Sequence, residues 1–139
     1  MLFFDASVLV KRYVRERGST RIRRLLTEGD AAIARLSEVE VVSAFARLAR
    51  EGSISAAQRD RAVATLVADV SSWTVVELSA DTARRARQLL LRHALRSGDA
   101  IQLASAMLLR DSIGELDAFV AHDARVLQAA QAEGMTVAE

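Results

Sequence analysis

The residues best suited to chemistry in this sequence are carboxylates. Asp5 follows the apolar run Leu2-Phe3-Phe4, and Glu40 lies among Val39, Val41 and Val42. Asp99 opens the run Ala100-Ile101-Gln102-Leu103-Ala104, and Asp123 follows Ala118-Phe119-Val120-Ala121 by one residue, His122. Carboxylates packed together in a low dielectric repel one another. A divalent cation relieves that repulsion. Mg2+ takes carboxylate oxygens and keeps several waters, so such a cluster could polarise a phosphodiester and activate a water against it. Each acid also has a structural explanation. Acids are favoured at helix starts by capping and by the helix dipole. Asp5 and Asp123 each fit an N-cap, and Ser37-Glu38-Val39-Glu40 spells a capping box in which Glu40 reaches back to the Ser37 amide. The residues alone leave both readings open.

Either reading needs elements that carry these positions to one place. Short apolar runs predict strands at residues 2–4, 31–34, 73–78, 118–121 and 134–137, with 73–78 the richest in β-formers. Helical stretches lie between them, at about 7–13, 19–26, 37–50, 55–70, 79–93, 97–110 and 123–132. Ser37, Ser55 and Ser79 read as caps, and Gly29 and Gly52 as stops. Strands alternating with helices predict an α/β fold, a three-layer α/β/α sandwich on a central, mainly parallel sheet. Ligands of such sheets bind outside the carboxyl ends of the strands, where all four acids fall.

Composition sets the bounds. At 139 residues, 51% hydrophobic and 27% charged, the chain is expected to form one soluble domain over residues 1–139. A net charge of +1 argues against a bulk polybasic surface, though segregated charge stays compatible with nucleic acid. Lys11 is the sole lysine and the other basic residues are arginines, whose planar fork suits phosphate, though arginine-biased codons are the plainer account. The absence of cysteine removes disulfides, thiolate nucleophiles and Cys-type zinc sites, and His93 and His122 are too few for a His-rich site. The opening apolar run ends at once in Asp5, so neither a signal peptide nor a membrane span is expected, and the location expected is cytoplasmic.

Four motifs in order resemble the PIN-domain family, and within it the VapC-like toxins of bacterial toxin–antitoxin pairs. They are Phe4-Asp5-Ala6-Ser7, Glu40 with Ala44 and Arg47 on one helix, Ser97-Gly98-Asp99-Ala100-Ile101-Gln102-Leu103-Ala104, and Phe119-Val120-Ala121-His122-Asp123. The resemblance spans nearly the whole chain. It implies that Asp5, Glu40, Asp99 and Asp123 are catalytic and hold Mg2+ or Mn2+, with Ser7 supporting the site. It also implies endoribonuclease activity on an RNA substrate, a cognate antitoxin partner, and a homodimer. One position departs from the pattern: Ala121 stands where the family carries Thr or Ser.

Other readings fit less well. A receiver domain needs a late lysine, and a haloacid-dehalogenase-like phosphatase needs an Asp where Ser7 stands. A non-catalytic PIN-like domain binding RNA or protein is the alternative. Asp117 and Glu38 rival Asp123 and Glu40, but Asp117 is expected at the opposite sheet edge and Glu38 lacks the Ala and Arg spacing. Arg12, Arg15, Arg47 and Arg96 are candidates for phosphate contact, or for ion pairs on solvated faces. Leu25, Leu26, Ile33, Leu36, Leu66, Val67 and Val70 read as core, with some available to a partner helix.

Overall fold

A computed structural model describes residues 1–139. The strands are β1 (Leu2–Phe4), β2 (Ala31–Ala34), β3 (Thr74–Val76), β4 (Ala118–Val120) and β5 (Val137–Ala138). The helices are α1 (Ala6–Tyr13), α2 (Ser19–Glu28), α3 (Leu36–Arg50), α4 (Ala56–Val70), α5 (Ala80–Arg92), α6 (Ser97–Ile113) and α7 (Ala124–Ala132). All strand pairs are parallel, in the order β3-β2-β1-β4-β5. The chain builds outward from β1 to β3, then restarts at β4 on the other side of β1. The switch point between β1 and β4 is where such sheets open a crevice beyond their carboxyl ends.

Alternation along the strands divides the core between the two faces. Phe3, Ala32, Ala34 and Phe119 pack under α5, α6 and α7, against Leu89, Leu103, Met107 and Val126. Phe4, Ile33 and Val120 pack under α1 to α4, against Leu9, Ile22, Phe45 and Leu66. This is the expected three-layer sandwich. Of the residues read as core, Leu26, Ile33 and Leu66 are buried, while Val67 lies 66% exposed on α4 and is not core.

Three elements differ from the sequence reading. The strand read at 73–78 is only three residues long, because Glu77 turns out to pair with Arg35 and Ser79 already caps α5. The last strand starts at Val137 rather than at Gly134, whose φ of 77° places it in the turn after α7. The third change bears on the site. Helix α3 begins at Leu36, so Ser37 is inside it and caps nothing. Its hydroxyl instead accepts from the Gln102 side-chain amide at 2.9 Å.

On the α1–α4 side, one polar cluster pins two helices. Asp69 accepts from Arg12 Nε at 2.6 Å, from Arg12 Nη2 at 3.0 Å and from the Tyr13 hydroxyl at 2.8 Å. Burial pushes the Asp69 carboxyl up, but the bonds from Arg12 and Tyr13 outweigh it and hold it below its ordinary value of 3.8. A carboxylate depressed in the fold stabilises above its unfolded pKa, and that contribution is lost as pH falls through the folded value. Removing a hydrogen-bonded charge costs about 2 kcal/mol. Asp69→Ala should therefore lose about that much in urea denaturation at pH 7, and the gap to the parent should shrink at pH 3. An equal gap at both pH values would show that the charge of Asp69 contributes nothing.

Candidate metal centre

The four acids arrive at the β1–β4 crevice from four separate elements. Asp5 follows β1, where its backbone amide donates to Val120 of β4 at 2.9 Å. It is the N-cap of α1 and only 5% exposed. Its carboxylate accepts from the Ser7 amide at 2.9 Å and from the Ser7 hydroxyl. That hydroxyl in turn accepts from the His122 amide at 3.3 Å. Ser7 thus ties the Asp5 carboxylate to the loop after β4 that carries Asp123. Asp123 caps α7, accepting from the Arg125 amide at 2.8 Å. Asp99 sits in the first turn of α6 and accepts from the Arg96 amide at 3.3 Å.

Glu40 is the exception. The capping box expected with Ser37 does not form, since Ser37 is bonded to Gln102. Glu40 Oε1 is the only buried side-chain oxygen or nitrogen in the molecule without a hydrogen-bond partner. Such orphans are rare and call for an explanation. The carboxylate rests on Gly98, whose missing Cβ would lie 3.1 Å from Oε1. The motif glycine therefore leaves the room that Glu40 occupies. Burial pushes Glu40 up, and the charges of Asp5 and Asp99 add to it. A hydrogen bond from the Gln102 side chain opposes the shift, while Oε1 itself has no hydrogen-bond partner. Asp5 is also raised, first by burial; the Ser7 bonds oppose this, and the charges of Asp99 and Asp123 reinforce it. The four acids thus share one electrostatic neighbourhood with Asp5 at its centre.

As the side chains stand, no three acids or histidines are gathered closely enough to hold one ion. Asp5, Asp99 and Asp123 are each turned to a backbone amide at their own helix start. The donor set nonetheless suits a hard divalent cation. It offers only carboxylate oxygens, two of its members are destabilised by burial and by neighbouring carboxylates, and one oxygen is unpartnered.

The other candidates add no side-chain ligand to the crevice. Asp117 pairs with the amino group of Met1 at the other sheet edge, and Glu38 pairs with Arg35. Arg12 is committed to Asp69, and Arg47 reaches only Glu51, at 3.9 Å, rather than orienting Glu40. Arg96 serves Asp99 through its backbone, and Arg15 lines a hollow with Arg23 and Arg61. Ala121 is fully buried in the core under α5 to α7, while His122 is an exposed loop residue 3.7 Å from Glu139. Gly98 and Gln102 also shape the site, by what they leave open and what they bond, although neither carries a charge that marks it in the sequence. A glutamine inside an otherwise apolar helical run was the available signal for Gln102.

Comparison with known proteins agrees with the architecture. Residues 2–132 match the model of the PIN domain. Ribonuclease VapC45 of Mycobacterium tuberculosis is 35% identical over 112 residues, which is 80% of this chain and 78% of that protein. Among solved structures, M. tuberculosis VapC20, described as a sarcin-ricin-loop-cleaving toxin, superposes with a TM-score of 0.68 at 18% identity, covering 98% of this chain and 97% of that one. A toxin–antitoxin complex from Klebsiella pneumoniae gives a TM-score of 0.64 at 23% identity, covering 91% of this chain and 90% of that one.

Proposed function

Because the chain belongs to the PIN-domain family and to its VapC-like members, we propose that it is a metal-dependent endoribonuclease and the toxin of a toxin–antitoxin pair. The observation that supports this reading is the buried, unpartnered oxygen of Glu40 beside Asp5 and Asp99, whose charges add to its destabilisation. Asp5, Glu40 and Asp99 would hold the ion, with Asp123 as an outer or second-ion ligand. Mg2+ or Mn2+ bound there would supply an acidified water and polarise the phosphodiester. Ser7 fixes the Asp5 carboxylate against the β4 loop, and Gly98 lets Glu40 approach. Burial of Asp5 keeps bulk water from competing for its oxygens. The reaction requires no protein nucleophile.

The ribonuclease name of VapC45 and the complex from K. pneumoniae support an RNA substrate and a cognate antitoxin partner. The apolar hollow of about 560 Å3 between α3 and α4, lined by Val39, Val42, Leu66, Val67 and Val70, gives an antitoxin's apolar helix a seat. A homodimer is expected as well. No helix is long and apolar enough to cross a membrane, and action in the cytoplasm is proposed.

The test is RNA cleavage with Mg2+ or Mn2+, with and without EDTA, beside calorimetric metal titration. The protein should cleave, EDTA should stop it, and Asp99→Asn should lose at least about 100-fold. Full activity in Asp99→Asn sinks the assignment. Metal or RNA binding without cleavage would instead favour a non-catalytic binding domain.

A further inference from the structure

A chain of net charge +1 gathers cations beside the acidic crevice. A hollow of about 470 Å3 between α1 and α2 is lined by Lys11, Arg17, Gly18 and Arg21 over a floor of Val8 and Ile22, and it is bounded by His122 and Glu139. Asp5, Val8 and Lys11 follow one another at three-residue spacing, so they lie along one ridge of α1. At about 1.5 Å per residue, Lys11 stands roughly 9 Å along the helix from Asp5. His122, whose amide bonds the Ser7 hydroxyl beside Asp5, forms the wall nearest the crevice. The hollow is thus a direct continuation of the acidic site.

None of the three cations is paired. Lys11, Arg17 and Arg21 make no salt bridge, unlike Arg12, Arg35 or Arg92. The Lys11 ammonium donates to the Arg17 carbonyl at 2.7 Å, which holds it toward the hollow. Gly18, at a φ of 90°, turns the chain into α2 beside the Lys11 side chain. The one acid in the lining, Glu139, lies on the His122 side. Unpaired like charges crowded together cost stability unless an anion joins them.

Resting on the nuclease reading above, we propose that this hollow binds a backbone phosphate of the RNA flanking the one to be cleaved. Carboxylates at the crevice repel a polyanion on approach, and a resident cation relieves that only locally. A strand crossing the crevice therefore needs cationic contacts beyond it, and phosphate contacts of this kind set register without reading bases. Lys11 and Arg21 act as substrate-positioning residues, with Arg17 completing the wall.

The test is fluorescence anisotropy of labelled single-stranded RNA on the full chain in EDTA, which prevents cleavage, from 50 to 200 mM salt. The double variant Lys11→Gln/Arg21→Gln should weaken binding. It should also make the slope of log K against log salt shallower by about 0.7, the value for one lost phosphate contact on a single strand. Lys11→Arg should keep most of the slope. A charge-matched control on α5, Arg84→Gln/Arg87→Gln, should leave the slope near that of the parent. With Mg2+ present, the double variant should raise KM more than it lowers kcat. An unchanged slope, an equal loss in the control, or tighter binding of an acidic peptide than of RNA of the same charge overturns the proposal. A parent protein that cleaves RNA while the double variant binds it normally overturns this pocket alone. A parent that cleaves no RNA with either metal overturns the nuclease reading itself.

Discussion

Asp5→Asn abolishes RNA cleavage, by at least about 100-fold, and raises the melting temperature of the metal-free protein. The two effects have one cause. Asp5 is nearly buried, lifted above its ordinary value by that burial and by the charges of Asp99 and Asp123. An amide removes the buried charge, while its oxygen can still accept from the Ser7 amide and cap α1. Relief of this kind at a functional site commonly gains about 1 kcal/mol. Added Mn2+ should raise the melting temperature of the parent, because a ligand that binds only the folded state stabilises it. It should raise that of the variant far less. Thermal melts with and without Mn2+, beside an RNase assay, check both halves. A variant that melts lower than the parent without metal would mean that the Asp5 charge is satisfied in the fold, contrary to the repulsion inferred here.

Gly98→Val should be inactive and well folded. A Cβ at residue 98 would come within 3.1 Å of Glu40 Oε1, and the glutamate has to give by a few tenths of an ångström. Valine adds two methyls to that contact and pushes the carboxylate further. A displacement of about 1 Å from productive geometry can cost 100-fold in rate. The helix does not need this glycine for its backbone: Gly98 is not among the glycines with positive φ, and within α6 glycine is the poorer helix former. Gly98→Ala should thus be as stable as the parent or slightly more so, with activity reduced about tenfold, between parent and valine. Circular dichroism melts separate this from a folding defect. Normal cleavage by Gly98→Val would show that the position of Glu40 does not matter.

What the sequence revealed and what it hid follow the range of the forces involved. Asp5, Asp123, Ser55 and Ser79 cap helices as local rules require, since a cap and its amide lie within a few residues of each other. Ser37 obeys the same local pattern and fails it. Its partner is Gln102, 65 residues away on α6, and no local rule sees that competition. The failure matters, because the broken capping box is what leaves the Glu40 oxygen unpartnered. The alternation of Phe3 with Phe4, and of Phe119 with Val120, fixed both faces of the sheet and with them the crevice. The cationic hollow was not legible. Lys11 lies on α1 while Arg17 and Arg21 flank the start of α2, and only the packing of those helices brings them together.

The position of β1 has a consequence for how the protein is made. β1 is the middle strand of the sheet, and its neighbour β4 lies more than a hundred residues later in the sequence. Until Ala118–Val120 and Asp123 have emerged, Asp5 lacks the Val120 carbonyl and Ser7 lacks the His122 amide that lock the crevice. Pairings so distant in sequence form late. A nascent chain therefore keeps Asp5 and Glu40 apart from Asp123 until the segment that carries β4 has been made.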